Sequence, residues 1–225
     1  MRDVAKSANA GFSHAGIDFP PPIGGLLKRS FDIVGSLAAL VLLSPLFLMV
    51  ALLVKLSDGG SIFYGHKRIG RGGRIFACLK FRTMVQDGER VLAEHLAANP
   101  DAAAEWAATR KLKNDPRVTR VGHVLRKLSL DELPQIINIL QGDMSLVGPR
   151  PVVRDELEIY GSAAVYYLKS RPGLTGLWQV SGRSRLGLLD MYRLDVTYAD
   201  QASLVLDVKL LLRTIPVVLL RDGAA

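Results

Sequence analysis

A single cysteine, Cys78, is the whole thiol content of the 225 residues. Neither an internal disulfide nor a cysteine zinc cluster can form, and nothing asks for an oxidising compartment. Charged residues are also sparse, at 22%, and no repeat or low-complexity period runs through the chain. Collagen-like, mucin-like and wholly disordered classes are thereby excluded. Acidic side chains are in the minority, 21 against 29 Lys and Arg, which leaves a net charge of +8. Against these shortages stands an apolar content of 49% and a mean hydropathy of +0.21. The chain is too apolar for an ordinary soluble domain and too basic for a buried one, and its length suits one domain with an appendage.

The apolar excess is concentrated. Residues 33–54 (IVGSLAALVLLSPLFLMVALLV) carry no charge, and a run of that length points to a membrane. A cleaved signal peptide fits poorly, because the run starts far from Met1, exceeds an h-region and lacks a small-residue cleavage site. A simple spanning helix meets two difficulties. Both flanks are basic, Lys28 and Arg29 before and Lys55, Lys67, Arg68, Arg71 and Arg74 after, so both ends favour the same side. Ser44-Pro45 also divides the run into arms of about 14–17 Å, roughly half a bilayer core each. Pro45 cannot donate to the carbonyl of Val41, and the Ser44 hydroxyl can satisfy it. Two readings follow: a re-entrant helix-break-helix that returns to its own leaflet, or a proline-kinked spanning helix.

Residues 1–25, rich in Gly, Ala, Ser and Pro, read as a flexible tail. Residues 26–58 are expected to form the membrane segment and 59–221 a cytoplasm-facing domain. Short strands are expected over 61–63 and 74–81, joined through Gly70, Gly72 and Gly73. Two polar, Ala-rich helices are expected over 87–98 and 101–113, divided by Asn99-Pro100. Further helices are expected over 133–140 and 156–167, then a Gly-rich loop over 171–183. In the last helix, about 203–220, Asp207 and Thr214 share a face opposite Lys209 and Arg213. That pattern suits a membrane interface, with Asp207 pointing inward. The fold class is α+β, mainly helical, with interfacial amphipathic helices and a small irregular β element.

The chemistry concentrates in 126–151, RKLSLDELPQIINILQGDMSLVGPRP. Ser129 and Glu132 have capping-box spacing, but a helix starting there would put Pro134 past its tolerated first turn. A start nearer Leu130 to Asp131 keeps both carboxylates beside free amides, where the helix dipole favours the ionised form of Asp131. Basic residues crowd the neighbourhood, among them Lys80, Arg82, Arg126, Arg150, Arg171 and Arg183, and those beside Pro or Gly, Arg150, Arg171 and Arg183, can aim at phosphate; taken singly, each reads better as solvated or lipid-facing surface. With an acidic pair and no catalytic His, Ser or Cys motif, the set suggests phosphate chemistry. A carboxylate attacking a pyrophosphate meets like-charge repulsion, which a divalent cation and several Arg or Lys groups offset.

The ordered motifs KRSFD (28–32), Ser44-Pro45, KFRTM (80–84), LRKLSLDELPQ (125–135), GDMSLVGPRP (142–151), RPGLTGLWQVSGR (171–183) and LDVTYAD with the later LD (194–207) resemble bacterial sugar transferases. The closer likeness is to small monotopic phosphoglycosyl transferases, or polyprenyl-phosphate hexose-1-phosphate transferases, that start exopolysaccharide assembly. It covers about residues 25–221. The resemblance implies an enzyme at the cytoplasmic face of a bacterial inner membrane that transfers hexose-1-phosphate from a UDP-hexose, galactose or glucose, to undecaprenyl phosphate. Asp131 matches the family's nucleophile and would release UMP; Glu132 matches its Mg²⁺ ligand. Arg126, Arg150 and Arg183 are expected near the nucleotide or its phosphates, and Lys80, Arg82 and Asp207 around the active-site pocket. The Ser44-Pro45 break is a family hallmark and favours the re-entrant reading. Membrane lipid is a further partner, nucleic acid is not, and self-association is left open.

The chain departs from the family pattern at Ser184, where Asn is usual, over 184–195, and at Ala202, where an aromatic is frequent. Two other classes stay open: a non-catalytic anionic-lipid-binding membrane protein, and a metal-dependent glycosyltransferase releasing UDP. The second lacks its customary Asp-x-Asp, and a CDP-alcohol phosphotransferase would need a spaced aspartate run that is absent.

Overall fold

The computed structural model describes residues 22–182 and 187–219. Most of the expected N-terminal tail lies outside the described residues, and so does Arg183.

The apolar run forms the middle of one helix, α1 (Gly25–Asp58), 34 residues long and bounded by left-handed Gly24 and Gly59. The chain stays helical through Pro45, so the expected break is not an interruption of the helix. The Val41 carbonyl, which Pro45 cannot reach as a donor, accepts instead from Ser44 Oγ at 2.8 Å. The most apolar window of α1 has a mean hydropathy of 2.8, and only 11% of it is buried. A core helix would be covered, so this helix is apolar on the outside. Two stretches pack on the rest of the protein: Lys28, Asp32 and Ser36 near its start, Val50 and Val54 near its end. Leu37, Val41, Leu42 and Leu48 between them are exposed.

Strands β1 (Phe63–Ile69) and β2 (Ile75–Phe81) pair antiparallel, Tyr64 opposite Lys80, His66 opposite Cys78 and Arg68 opposite Phe76. A 3₁₀ turn at Arg71–Gly73 closes the hairpin, with Gly72 and Gly73 at positive φ. β1 therefore starts where the expected 61–63 strand ends; it is exposed nearly throughout, and its HKR content masks the alternation. Helices α2 (Gly88–Ala98) and α3 (Pro100–Thr109) divide at Asn99, as expected, with Pro100 in the first turn where its missing N–H is harmless. Helix α4 (Arg120–Lys127), capped by Thr119 Oγ1 accepting from Gly122 N, was not anticipated. A 3₁₀ turn at Leu130–Glu132 leads into α5 (Gln135–Gln141), which ends at left-handed Gly142.

β3 (Ser145–Val147) runs parallel to β4 (Gly173–Thr175). The expected helix over 156–167 is two, α6 (Arg154–Ile159) and α7 (Ala164–Lys169), because Gly161 takes a positive φ between them. The expected loop over 171–183 contains β4 and a short α8 (Leu177–Val180). The β4 pairing needs glycine: a Cβ at Gly173 would lie 2.1 Å from Gly148 N, and one at Gly148 would lie 2.3 Å from Arg171 O. Helix α9 (Leu188–Gln201) precedes α10 (Leu204–Leu219). In α10 Asp207 is fully buried while Lys209 and Arg213 are exposed, as the periodicity predicts.

Three apolar clusters join these elements. Phe76, Cys78, Ile139, Met144, Val147, Tyr198 and Leu210 tie β2 and α5 to α9 and α10. A second cluster packs Tyr160, Tyr167 and Tyr192 around Val152 and Ile69. In the third, Val50 and Val54 of α1 meet Phe81 and Leu125, with Leu130 and Leu133 against them.

Candidate active site

The 3₁₀ turn carries the acidic pair. Its leucines, Leu130 and Leu133, face the α1 cluster, which leaves Asp131 and Glu132 toward β2. Ser129, at φ 55°, sits in the left-handed region and makes no side-chain cap. Glu132 does not reach back to it; its Oε1 accepts from Lys80 Nζ at 2.6 Å. The capping-box reading therefore fails, and the turn begins at Leu130, the later start that Pro134 requires. Lys80 Nζ also lies 3.6 Å from Asp131 Oδ2.

Asp131 is buried. Burial pushes its carboxyl above the ordinary aspartate range; Lys80 pulls it back, Glu132 pushes it up further, and Arg126 again favours the charged form. Lys80 and Arg126 thus favour the ionised carboxylate against burial and Glu132. Burial acts to lower Lys80, but Glu132 and Asp131 outweigh it and leave the ammonium above its ordinary value. Arg126, on α4, is oriented by its Nε donating to Thr83 Oγ1 at 2.9 Å. Cys78 is buried and its thiol is pushed up to about 11 by desolvation, which leaves it inert as a nucleophile at neutral pH.

Directly paired strand residues share a face. Tyr64, His66 and Arg68 therefore lie on the Lys80 side of the hairpin. Arg68 Nη1 approaches Glu156 Oε2 at 3.3 Å, and Arg150 Nη1 donates to Glu156 Oε1 at 2.8 Å. Arg150 also stands 6.0 Å from the Trp178 ring centroid. A polar strip thus runs from Asp131 and Glu132 through Lys80, His66 and Arg68 to Arg150. Two guanidinium groups share one carboxylate at its far end, which leaves excess positive charge for an anion.

Behind Arg150 lies Asp195, which is nearly inaccessible. It accepts from Tyr160 Oη at 2.9 Å and from Arg150 N at 3.4 Å, while its Oδ1 has no partner. Burial pushes its carboxyl up to about 7, against those bonds and the Arg150 charge. Between 3.8 and about 7 the folded protein holds a proton that the unfolded chain has released, so stability from this group falls as pH rises through that window. Asp195→Asn is expected to raise the thermal midpoint at pH 8 by roughly several degrees and to change it little at pH 4. Parallel melts of the two proteins across pH check this.

Among the described residues, Arg82, Asp207, Ser44 and Pro45 are not in this group. Arg82 pairs with Asp58 at the end of α1. Asp207 accepts from Lys28 Nζ at 2.6 Å and from Tyr198 Oη at 2.8 Å, in a buried cluster with Asp32 and Ser145. Ser44 and Pro45 lie midway along α1. His66, Arg68, Thr83, Glu156 and Asp195 were missed by the sequence reading; only the β1 register against LKF could have pointed to the first two. Among the described residues, no three His, Cys, Asp or Glu side chains gather to hold a metal. Asp131 and Glu132 can offer two carboxylates, and Lys80 Nζ already shows that a cation fits beside both.

The bacterial sugar transferase family matches residues 23–221. The exopolysaccharide production protein ExoY of Rhizobium meliloti is 61% identical over 203 residues, covering 90% of each chain. The undecaprenyl-phosphate galactose phosphotransferase of Salmonella typhimurium is 53% identical over 199 residues, 88% of this chain and 41% of that one. A UDP-glucose:undecaprenyl-phosphate glucose-1-phosphate transferase of Caulobacter vibrioides is 40% identical over 209 residues, 88% of this chain and 72% of that one. The chain belongs to the bacterial sugar transferase family. It is a phosphoglycosyl transferase, associated with the membrane.

Proposed function

We propose that this enzyme transfers hexose-1-phosphate from a UDP-hexose, galactose or glucose, to undecaprenyl phosphate and so begins exopolysaccharide synthesis. The observation that carries the reading is the buried Asp131 beside Glu132, under Lys80 and within the field of Arg126. The galactose and glucose relatives support the substrate class by their names.

In the first step an Asp131 carboxylate oxygen attacks the β-phosphorus of the donor. The bond from that phosphorus to the bridging oxygen breaks, and UMP leaves with the oxygen and its electron pair. Hexose-1-phosphate stays on Asp131 as a mixed anhydride. In the second step a phosphate oxygen of undecaprenyl phosphate attacks the same phosphorus, and Asp131 departs as a carboxylate. Lys80 and Arg126 offset the repulsion between carboxylate and diphosphate, and the strip through Arg68 to Arg150 receives the remaining donor charge. Arg183, expected by resemblance near the nucleotide, belongs to the same proposal.

Glu132, with Asp131 beside it, would hold Mg²⁺. Magnesium accepts one or two protein carboxylates and takes its other ligands from water and substrate phosphates, so a two-carboxylate site fits it. When bound, the ion supplies charge neutralisation at the transferring phosphoryl group.

For the membrane, the proposal is a re-entrant α1 entering from the cytoplasmic face of the inner membrane. It is supported by the packing of both arms, Lys28 to Ser36 and Val50 to Val54, on one catalytic domain with exposed apolar residues between. The exposed stripe Val205, Val208, Leu212 and Ile215 on α10, flanked by Lys209 and Arg213, suits the interface.

The nucleotide product tests the function. Purified protein with UDP-galactose or UDP-glucose, undecaprenyl phosphate and Mg²⁺ is expected to release UMP. Release of UDP would instead indicate glycosyl transfer, and neither product from any UDP-hexose would indicate a lipid-binding protein.

A further inference from the structure

A second basic site lies away from the carboxylate pair. A cavity of about 220 Å³ is lined by Gly70, Arg71, Arg74, Phe76, Gly142, Asp143 and Arg171. Arg29 adjoins it, donating to Ile139 O at 2.6 Å and Leu140 O at 2.9 Å at the end of α5, and Arg171 Nε donates to Gly142 O at 3.0 Å. These bonds satisfy the last carbonyls of α5, which accounts for part of Arg29 and Arg171. It does not account for the cavity or for Arg74, whose side chain is exposed. Among the described residues, no carboxylate lies within ion-pairing distance of Arg29, Arg74 or Arg171. Burial, Arg29 and Arg71 all act against the Arg171 charge, with Asp32 only partly offsetting them. A cluster so arranged is eased by an anion.

The cavity is not the reaction centre. Phe76 stands four residues before Lys80 on β2, about 13 Å away along a strand. Gly142 ends α5 and Asp131 precedes its start, with a seven-residue helix of about 10 Å between them. The acceptor phosphate must reach Asp131, so the occupant here is a different molecule. Its source is indicated by Arg29, which stands one turn before the apolar run of α1 and beside the exposed Leu26 and Leu27.

We propose that the Arg29, Arg71, Arg74 and Arg171 cavity binds the phosphate headgroup of an anionic phospholipid, a non-catalytic site that holds the domain at the membrane surface. This rests on the membrane reading of α1, and the distinction of its occupant from the acceptor rests on the proposed role of Asp131.

Flotation of the full chain with phosphatidylcholine vesicles first tests the membrane reading alone; failure to float would remove that reading and the lipid proposal with it. The protein in uncharged detergent is then titrated with dioctanoyl-phosphatidylglycerol, dioctanoyl-phosphatidylcholine and inorganic phosphate, following the thermal midpoint. Phosphatidylglycerol is expected to give a saturable rise that the other two do not. Arg71→Gln/Arg74→Gln is expected to weaken it roughly tenfold or more, and Lys111→Gln/Arg154→Gln, which removes the same charge from other exposed positions, to leave it unchanged. Arg74→Glu, at an exposed side chain, repeats the test if the double variant folds poorly. Equal phosphatidylglycerol binding by folded Arg74→Glu and the parent, or an equal response to inorganic phosphate, would overturn the proposal.

Discussion

Asp131→Asn is expected to lower UMP release by about three orders of magnitude or more while the protein melts within a few degrees of the parent. The amide keeps the size and much of the hydrogen bonding of the carboxylate, and Lys80 retains Glu132 at 2.6 Å, so the turn has little reason to unfold. What disappears is the proposed oxygen nucleophile. Glu132 stands next to it but cannot substitute: its carboxylate is engaged by Lys80 and is far more exposed than Asp131, at 40% against 12% for the side chains. Near-parent turnover in a folded Asp131→Asn protein, measured as UMP release, would remove Asp131 from the role of nucleophile.

The second large effect concerns stability. Lys28 is the cation between two fully buried carboxylates, 2.6 Å from Asp207 and 3.9 Å from Asp32. It also donates to Val147 O at 3.1 Å. Lys28→Met leaves both acids without their counter-charge and is expected to cost about 3–5 kcal/mol. Asp207→Leu alone should also be costly, since it takes the nearest carboxylate from Lys28 and one of the two acceptors from Tyr198 Oη. The double variant Lys28→Met/Asp207→Leu is expected to lose clearly less than the sum, because no lysine is left facing an apolar side chain. Thermal midpoints of the four proteins in one detergent give the coupling. Additive losses would show that the ion pair is not what joins α1 to α10.

That cluster also shows what could be read from residues alone. The helical spacing of α10 puts Asp207 opposite Lys209 and Arg213, and the structure agrees. Its partner, however, lies 179 positions earlier, and nothing local to either residue reveals the pairing. Expected by resemblance around the active-site pocket, Asp207 bonds Lys28 and Tyr198. Arg82 shows the same limit. Two residues from Lys80 in KFRTM, it lies just past the end of β2 and pairs with Asp58 rather than with the acidic turn.

Long, strongly patterned elements were legible: α1 with the Ser44 hydroxyl serving Val41, the split at Asn99-Pro100, and α10. Short elements whose partners are remote were not. β4 is three residues inside a Gly-rich stretch, visible only once β3 lies beside it. α4 spans eight residues, its first turn anchored by the Thr119 cap. At the site, the identity and adjacency of Asp131 and Glu132 were evident, as was the need for nearby cations. The capping box was a local alternative that tertiary contact overrode, because Lys80 is the stronger partner for Glu132. Arg68 and Glu156 enter the strip only through the hairpin register and the fold of 149–156 over it.

The central claim is a covalent phosphosugar on Asp131, and trapping it tests that most directly. Protein incubated with the preferred UDP-hexose and Mg²⁺, without undecaprenyl phosphate, is quenched and examined by intact and peptide mass spectrometry. The account predicts release of up to one UMP per protein and a hexose-phosphate adduct on the peptide containing Asp131, discharged on adding the lipid phosphate. UMP release that occurs only when the acceptor is present, with no adduct on a protein that turns over normally, would contradict it.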